Sequence, residues 1–310
     1  MQLRWRDLAF QDHAALLFHG YMTLRILLAP ESPNAHTARP LSLSLLACTL
    51  VTIVVVRGQL LPPGFLRALV YRVGMVTPFP LNYFVLRYHL SALQVPLRDL
   101  ALLRIDEAVL GATPAAALAP LASPAVVEWF SFFYYSYFTL LVLHVLGSAF
   151  FDRGTRLAEM MLGALLVTGI GHALYTLVPG VGPYGAMHFA HPLVGGTFYG
   201  LVMKAVHEAG AVLDIFPSLH TGHPCFFLLH SLRHRRTLPF RYTAAPMAFF
   251  FVNIVIATML LRWHYAIDVA VGVLVALTAQ QIAIRVARRE ADRPGQPVWE
   301  PLTPASLVEP

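Results

Sequence analysis

Long apolar segments separated by short polar links dominate the chain. Residues 41–56, LSLSLLACTLVTIVVV, form an uninterrupted run close to the ~17 residues that a helix needs to cross the hydrocarbon core of a bilayer. Helices can span a bilayer because they satisfy their own backbone hydrogen bonds. The pattern predicts an all-α, polytopic membrane helical bundle of six to eight transmembrane helices. The other apolar segments are 13–29, 65–92, 125–150, 157–178, 218–233, 242–261 and 264–286.

Two of these segments carry charges that change the interpretation. His19 and Arg25 interrupt 13–29, so this segment either spans the membrane or lies in its interface. The segment 65–92 contains three arginines and two prolines. A membrane helix tolerates arginine near its ends or against protein, and an internal proline bends it. We therefore expect 65–92 to be a kinked span.

Composition supports a membrane protein and excludes several other classes. The 310 residues are 57% hydrophobic and 12% charged, with a mean hydropathy of +0.63, which leaves too few charges to solvate a soluble domain of this size. The net charge of +6 comes almost entirely from arginine, since Lys204 is the only lysine. No basic patch interleaved with aromatic residues is present, so we expect no nucleic-acid partner. Cys48 and Cys225 lie in apolar segments and are interpreted as packing residues.

Arginine placement predicts the orientation of the bundle. Basic residues cluster near the N-terminus and at 57–72, 151–157, 233–241 and 285–293. The positive-inside rule assigns these ends to the cytoplasm. Both histidine motifs described below then face the extracytoplasmic side. We expect an integral protein of a bacterial inner membrane.

One connection is far longer than the others. Residues 179–216 are Gly-rich and contain several histidines and acidic residues. Loops of such length inside a compact protein are usually functional or disordered. Because this stretch leads directly into the first histidine motif, it is interpreted as a lid or substrate-binding loop.

The segment LRWHYAIDVAVG, residues 261–272, pairs a histidine with an aspartate. His264 and Asp268 are four residues apart, so a helix places both on one face. A carboxylate hydrogen-bonded to one imidazole nitrogen fixes the tautomer and raises the basicity of the other nitrogen. His264 is therefore the candidate nucleophile, and Asp268 the residue that orients it.

A second histidine motif, FPSLHTGHP at 216–224, comes just before a new apolar run. His220 is expected near a helix start, where free backbone N–H groups and the helix dipole favour phosphate oxygens. There it can protonate a leaving oxygen, and Ser218 is a candidate phosphate contact. Proline is tolerated only in a first helical turn, so Pro224 predicts a helix that begins nearer Thr221.

These two segments resemble the second and third signature motifs of the type 2 phosphatidic acid phosphatase superfamily, and most closely its inositol phosphorylceramide synthase branch. The resemblance covers roughly residues 100–285 and implies a six-helix phosphatase-like catalytic core. It implies that His264 forms a phosphohistidine, that Asp268 orients it and that His220 is the general acid. The stretch RIDEAVLGATP also resembles the segment preceding the catalytic helices in that branch.

The chain departs from the phosphatase members at their basic residues. YTLVPGVGPYGAM at 175–187 contains no lysine or arginine, and Thr258 stands where those members have an arginine six residues before the nucleophile. Pro183 and Tyr184 resemble the proline-rich stretch of the synthase branch and are candidate substrate contacts. Arg262, two residues before His264, is our candidate phosphate clamp.

The resemblance also suggests a division of the chain. The polar connector at 93–124 is the one internal boundary that composition indicates. We predict N-terminal membrane helices at 1–98 and a type 2 phosphatase-like catalytic membrane domain at 99–290. Residues 291–310 are predicted to form a disordered cytoplasmic tail.

Several functions stay open at this stage. The leading hypothesis is a membrane phosphotransferase that moves a phospho-headgroup from a lipid to a hydroxyl acceptor. One alternative is a hydrolase acting on a lipid phosphate or a polyprenyl diphosphate. An alternative of another class is a transport or proton-relay protein, because intramembrane histidine and aspartate also line ion pathways. The clustering of candidates on one side favours the enzyme.

The expected partners follow from the leading hypothesis. They are a membrane lipid substrate and a polyol or other hydroxyl acceptor, while the oligomeric state stays open. Histidine and aspartate can also ligate zinc, but neither an HExxH motif nor paired cysteines support such a site. We therefore expect no metal and no cofactor. The aromatic run WFSFFYYSYF at 129–138 is interpreted as a membrane-interface belt rather than a ligand cage.

Overall fold

The computed structural model describes residues 7–293 and 297–302, and within these ranges the regular elements are helical. The only strand-like pairing there is an isolated bridge between Gly180 and Asp214. The α-helices in chain order are α1 (Phe10–Leu27), α2 (Pro33–Arg57), α3 (Phe65–Val76), α4 (Pro78–Leu93), α5 (Asp99–Leu110), α6 (Pro114–Leu118), α7 (Pro124–Phe151), α8 (Gly154–Tyr175), α9 (Gly182–Ala186), α10 (Thr197–Ala209), α11 (Leu219–Arg233), α12 (Phe240–Leu260) and α13 (Ala266–Ala291). A 3₁₀ turn at Ala119–Leu121 follows α6.

Five of these helices are long and apolar enough to cross a membrane: α2, α7, α8, α12 and α13. Their ends carry ordinary helix signals. In α2, for example, Pro33 occupies the first position and the Ser32 hydroxyl accepts a hydrogen bond from Ala35 N at 3.1 Å. The predicted fold class, an all-α membrane helical bundle, is confirmed.

Two segments differ in detail from the sequence-based expectation. The kinked span expected at 65–92 is two helices, α3 and α4, which meet at Thr77 with Pro78 as the first residue of α4. The long connection at 179–216 is not a continuous loop, because it contains α9 and α10. The backbone N–H groups at the start of α10 donate to the Glu128 carboxylate, which distances of 2.7 Å from Gly196 N and 2.8 Å from Phe198 N show.

The contacts group the chain into two units. The first contains the described residues up to Leu93, Val145–Gly169 and the described residues from Ala279 on, and the second contains Gln94–His144 and Ile170–Thr278. The domain boundaries predicted from sequence, after residues 98 and 290, stay predictions.

A buried polar cluster lies within the first unit. The Arg57 guanidinium donates to Asp12 Oδ2 at 2.7 Å and to the Tyr71 hydroxyl at 2.6 Å. That hydroxyl donates in turn to Asp12 Oδ1 at 2.5 Å and accepts from Gln11 Nε2 at 2.5 Å. Buried charges need such pairing, so the cluster ties α1, α2 and α3 together.

The predicted C-terminal tail lies partly outside the described residues, which include 297–302. In this part, the Trp299 ring packs edge-on against the Tyr71 ring with centroids 4.9 Å apart. Glu300 forms an ion pair with Arg67. Residues 297–302 are therefore attached to α3.

Candidate active site

The first histidine motif forms the start of α11. The helix begins at Leu219 after Ser218, whose carbonyl accepts hydrogen bonds from Thr221 N and Gly222 N. His220 is thus the second residue of α11, and the expected start nearer Thr221 is wrong by two residues. Pro224 lies inside the helix and lacks an N–H group, so it cannot donate to the carbonyl of His220. The first turn keeps unbonded N–H groups at its open end, as helix starts do.

The second histidine motif is a turn between two helices rather than one continuous helix. After α12, the N–H of Trp263 donates to Thr258 O at 3.0 Å and that of Arg262 to Met259 O at 3.0 Å. This is a Schellman arrangement, and Arg262 takes the left-handed position with φ of 68°. His264 N also donates to Thr258 O. His264 therefore lies ahead of α13, and the expectation that it shares a helix face with Asp268 is wrong.

A helix cap brings His264 and Asp268 together instead. Asp268 is the third residue of α13, and its Oδ2 accepts a hydrogen bond from Tyr265 N at 2.9 Å. The same oxygen lies 3.4 Å from Nδ1 of His264, which is within ion-pair distance although Nδ1 makes no hydrogen bond in the described residues. Since Nδ1 faces the carboxylate, Nε2 is the nitrogen of His264 that is left to react.

Two aspartates on α5 hold this turn in place. Asp106 accepts hydrogen bonds from Ala266 N at 2.8 Å and from Ile267 N at 3.1 Å, so it caps the start of α13. Asp99 accepts from Gly182 N at 2.9 Å and from the Tyr265 hydroxyl at 3.2 Å. From the sequence, both residues fall in the polar connector at 93–124, and Asp106 also lies in the RIDEAVLGATP stretch, but neither is predicted to be a site residue. Their spacing of seven residues, which places them on one helix face, was the signal available.

The starts of α11 and α13 are in backbone contact. Ser218 N donates to Asp268 O at 3.0 Å. A Cβ atom on Gly272 would lie 2.5 Å from Ser218 O, so glycine permits this close approach. As a result the His220 and His264 rings lie with their centroids 6.2 Å apart. The structure therefore brings together all three residues expected to act in the chemistry.

Aromatic residues of α7 pack on His220. The Tyr134 ring stacks on the His220 ring at 4.2 Å and 13°, and the Tyr137 ring lies at 4.2 Å and 38°. The Tyr137 hydroxyl also hydrogen-bonds His223 Nδ1 at 3.0 Å. Trp129 is 53% exposed, as a membrane-interface residue would be. The interpretation of the whole run as an interface belt is thus wrong for Tyr134 and Tyr137, which are buried against the site.

Arg262 contacts the coil between α9 and α10. Both of its terminal nitrogens donate to His191 O at 3.1 Å, and its guanidinium lies 3.8 Å from the centre of the Phe189 ring. Burial lowers the pKa of Arg262, but a guanidinium stays charged near neutral pH. Within the described residues its hydrogen bonds go to His191, not to the histidine pair.

The proline-rich stretch is attached to the same turn. Tyr184 N donates to Arg262 O at 2.6 Å, and the Tyr184 ring lies 4.7 Å from the Trp263 ring. Pro183 is buried, whereas Tyr184 is 41% exposed. Gly182 has φ of +73°, and a Cβ atom there would lie 2.2 Å from Trp263 O. Pro183 and Tyr184 are thus placed beside the turn that carries His264.

Several buried polar atoms around these residues have no hydrogen-bond partner in the described parts of the chain. Most buried polar groups in proteins are satisfied, so a cluster of unsatisfied ones indicates a place for a ligand. Hydroxyls and a protonated imidazole can donate hydrogen bonds to an oxyanion, whereas a carboxylate oxygen can accept one from a hydroxyl or imidazole N–H group. The atoms are Ser218 Oγ, Thr221 Oγ1, His220 Nε2, His264 Nδ1 and Asp268 Oδ1.

The arrangement of His220, His264 and Asp268 does not favour a metal site. A metal ion needs several ligand atoms around one point. His220, His264 and Asp268 do not bring three ligand atoms within 4.8 Å of one another. The expectation that the reaction uses no metal or cofactor stays a prediction.

Comparison with protein-family models gives a match. A sequence model of the PAP2 superfamily matches residues 100–282, which is more than half of the chain and includes both histidine motifs. Searches of curated proteins and of solved structures returned no match.

Proposed function

The chain belongs to the PAP2 superfamily, and from this premise we propose that it is a phosphotransferase of the inositol phosphorylceramide synthase type. Membership supports a membrane phosphatase or phosphotransferase that acts on lipid phosphate esters. The observation that carries the proposal is the convergence of the His220 and His264 rings, with the Asp268 carboxylate on the Nδ1 side of His264.

The first step forms a covalent intermediate. Nε2 of His264 attacks the phosphorus of a phosphodiester lipid, and the bond from phosphorus to the leaving lipid alcohol breaks. Protonated His220 donates the proton on its own Nε2 atom to that leaving oxygen and becomes neutral. Asp268 stabilises the positive charge that develops on the His264 ring, as a carboxylate does in other histidine-based sites.

The second step reverses the proton transfer. The hydroxyl group of the acceptor attacks phosphorus, and His220 takes the hydroxyl proton. The bond between phosphorus and His264 breaks, which regenerates the free imidazole. The phospho-headgroup leaves on the acceptor, so neither a metal nor a redox cofactor is required by the balance of the reaction.

The charge of the site favours a diester donor over a monoester. A phosphodiester carries one negative charge, whereas a phosphomonoester near neutral pH carries between one and two because its second pKa is about 6. The stretch 175–187 contributes no lysine or arginine. The Arg262 guanidinium is already bonded to His191 O. Buried carboxylates of Asp99 and Asp106 further disfavour a dianion.

The attachments of the coil between α9 and α10 support the proposal that this coil covers the site and keeps bulk water out. It is anchored by Arg262 at His191 and Phe189, and α10 is anchored by Glu128. A cover over the site would favour a bound hydroxyl acceptor over bulk water. We accordingly assign Ser218, Pro183 and Tyr184 to substrate binding. Arg262 acts as a phosphate clamp only if it exchanges His191 O for the phosphate.

Product analysis tests the proposal. Purified protein in detergent is given a phosphodiester lipid labelled in its headgroup, with or without polyol and lipid-alcohol acceptors. We expect labelled headgroup phosphate on the acceptor, released diacylglycerol and little free phosphate. Release of phosphate from phosphatidic acid at a rate unchanged by any acceptor would show a phosphatase instead.

We also propose that the site faces the extracytoplasmic side of a bacterial inner membrane, supported by the arginine distribution. The test uses single cysteines at the exposed positions Ala190 and Thr237 in a protein lacking Cys48 and Cys225. An impermeant thiol reagent should label Ala190→Cys, and not Thr237→Cys, in intact cells. Labelling of Thr237→Cys alone would reverse the orientation.

A further inference from the structure

The aromatic face of α7 holds the proposed general acid by packing alone. Tyr134, Tyr137 and Phe138 have the spacing of neighbours on one helix face, and all three rings contact the His220 ring. No hydrogen bond reaches this imidazole from the described residues, and its buried Nε2 is without a partner there. By contrast, His223 shares a hydrogen bond with the Tyr137 hydroxyl.

We propose that Tyr134 is a positioning residue for proton transfer, because its ring fixes the plane of the His220 imidazole and stabilises the protonated form. This inference rests on the acid role of His220 in the proposed function. Tyr134 need not touch the substrate, since it acts through His220.

The stacking geometry suits both protonation states of His220. Neutral aromatic rings stack in offset arrangements, and the face of a tyrosine ring also attracts a cation, so the contact with Tyr134 persists when the imidazole is protonated. The Tyr134 and His220 rings are nearly parallel, at 13° and 4.2 Å. An imidazolium without water is costly, and the electron-rich face of Tyr134 offsets part of that cost.

The two proton transfers determine which reactions should be slowed when the Tyr134 ring is lost. His220 Nε2 gives its proton to the leaving oxygen as the first bond to phosphorus breaks. It accepts the proton of the incoming hydroxyl as the second bond forms. A leaving group that departs without protonation does not need the acid. Loss of the Tyr134 ring must therefore slow reactions of poor leaving groups and spare those of good ones.

The experiment compares two phosphodiester donors, a diacylglycerol lipid and its p-nitrophenyl analogue with the same headgroup. In single-turnover reactions without acceptor, Tyr134→Leu should lower the rate of leaving-group release about tenfold for the lipid donor and about twofold or less for the aryl donor. Tyr134→Phe, which keeps the ring, should be close to wild type. In a His220→Ala background, Tyr134→Leu should cause no further loss with either donor.

The neighbouring Tyr135 provides the matched control. It packs on the same apolar cluster as Tyr134, but no contact joins its ring to His220 within the described residues. Tyr135→Leu should therefore affect both donors equally and weakly. Equal losses on both donors in Tyr134→Leu, or an additive loss in the His220→Ala background, would overturn the inference and leave a packing role.

The same data separate this inference from the proposed function. If His220→Ala itself slows both donors equally, the acid role of His220 fails and the inference fails with it. If His220→Ala shows the dependence on leaving group but Tyr134→Leu does not, only the inference fails. Thermal unfolding of every variant in detergent identifies any that do not fold, and if Tyr134→Leu is among them, Tyr134→Met takes its place as the variant without a ring.

Discussion

Two regions of the molecule bury ionisable groups, and the two regions differ in whether those groups have hydrogen-bond partners. In the first unit, the Asp12 and Arg57 side chains pair with each other and with the Tyr71 hydroxyl. In the second unit, His220 Nε2 and Asp268 Oδ1 are buried with no hydrogen-bond partner among the described residues. The first arrangement satisfies its charges, and the second leaves donors and acceptors available.

This difference distinguishes a cluster that stabilises the fold from a cluster that is available to react with a ligand. A fully paired cluster stabilises the helices that contribute to it, and removing one partner exposes the other to a large desolvation cost. A partly paired cluster is costly unless a ligand completes it. Substitutions in the first region should therefore change stability, whereas substitutions in the second should change turnover.

The largest effect is expected for the nucleophile. His264→Ala should lower turnover by about 10⁴-fold or more, because the covalent route is lost, while the unfolding temperature stays close to wild type. The exposed His188 in the nearby coil supplies the control, and His188→Ala should keep most activity. Full activity in His264→Ala would remove His264 from the mechanism.

A smaller effect is expected for the acid. His220→Ala should reduce turnover of a lipid donor by ~10²-fold to 10⁴-fold, which is the usual contribution of general acid catalysis. The loss should shrink with an aryl phosphodiester. The measurement is the ratio of the two rates in wild type and variant, and an unchanged ratio would contradict the assignment.

The paired cluster should respond in stability. Asp12→Ala leaves the Arg57 charge buried without its carboxylate, which should cost about 3 to 5 kcal/mol of unfolding free energy. Glu31→Ala removes an exposed partner of Arg39 and should change the stability very little, because solvent screens exposed ion pairs. Denaturant unfolding in detergent compares the two variants. If Asp12→Ala lost little unfolding free energy, or if its folded fraction lost turnover, the first region would not have a purely stabilising role.

The smallest of these effects concerns the contact that joins the two histidine motifs. Gly272→Ala would place a Cβ atom 2.5 Å from Ser218 O, so the starts of α11 and α13 must move apart. A displacement of about 1 Å in a catalytic group can cost ~10²-fold in rate. Gly200 in α10 has open space around it, and Gly200→Ala should be nearly neutral. Equal turnover in both variants would show that the contact does not position the histidines.

The sequence predicted the all-helical fold class and the candidate catalytic residues His220, His264 and Asp268, because the length of apolar segments and the residues of a motif are local signals. It could not predict how His264 reaches Asp268. The Schellman turn at Arg262 requires a left-handed arginine, where glycine is the usual residue. The continuous helix expected there was therefore the simpler but incorrect interpretation.

Contacts between residues that are distant in the chain also could not be predicted from the sequence. Asp99 and Asp106 look like solvated residues of a polar connector until the fold places them against Gly182 and the start of α13. Tyr134 looks like one more aromatic residue near a membrane interface. Its stacking on His220 depends on two segments that are 86 residues apart, as for the Tyr137 and His223 pair.

The most direct test of the account is to trap the covalent intermediate. Protein is mixed with the phosphodiester donor without acceptor, quenched at alkaline pH because phosphohistidine is labile in acid, and digested with trypsin. Cleavage after Arg262 separates the peptide that carries His264 from the peptide that carries His220. The account predicts a phospho-headgroup adduct on His264 that disappears when a hydroxyl acceptor is added. An adduct on the His220 peptide, or turnover with no adduct on either histidine, would contradict it.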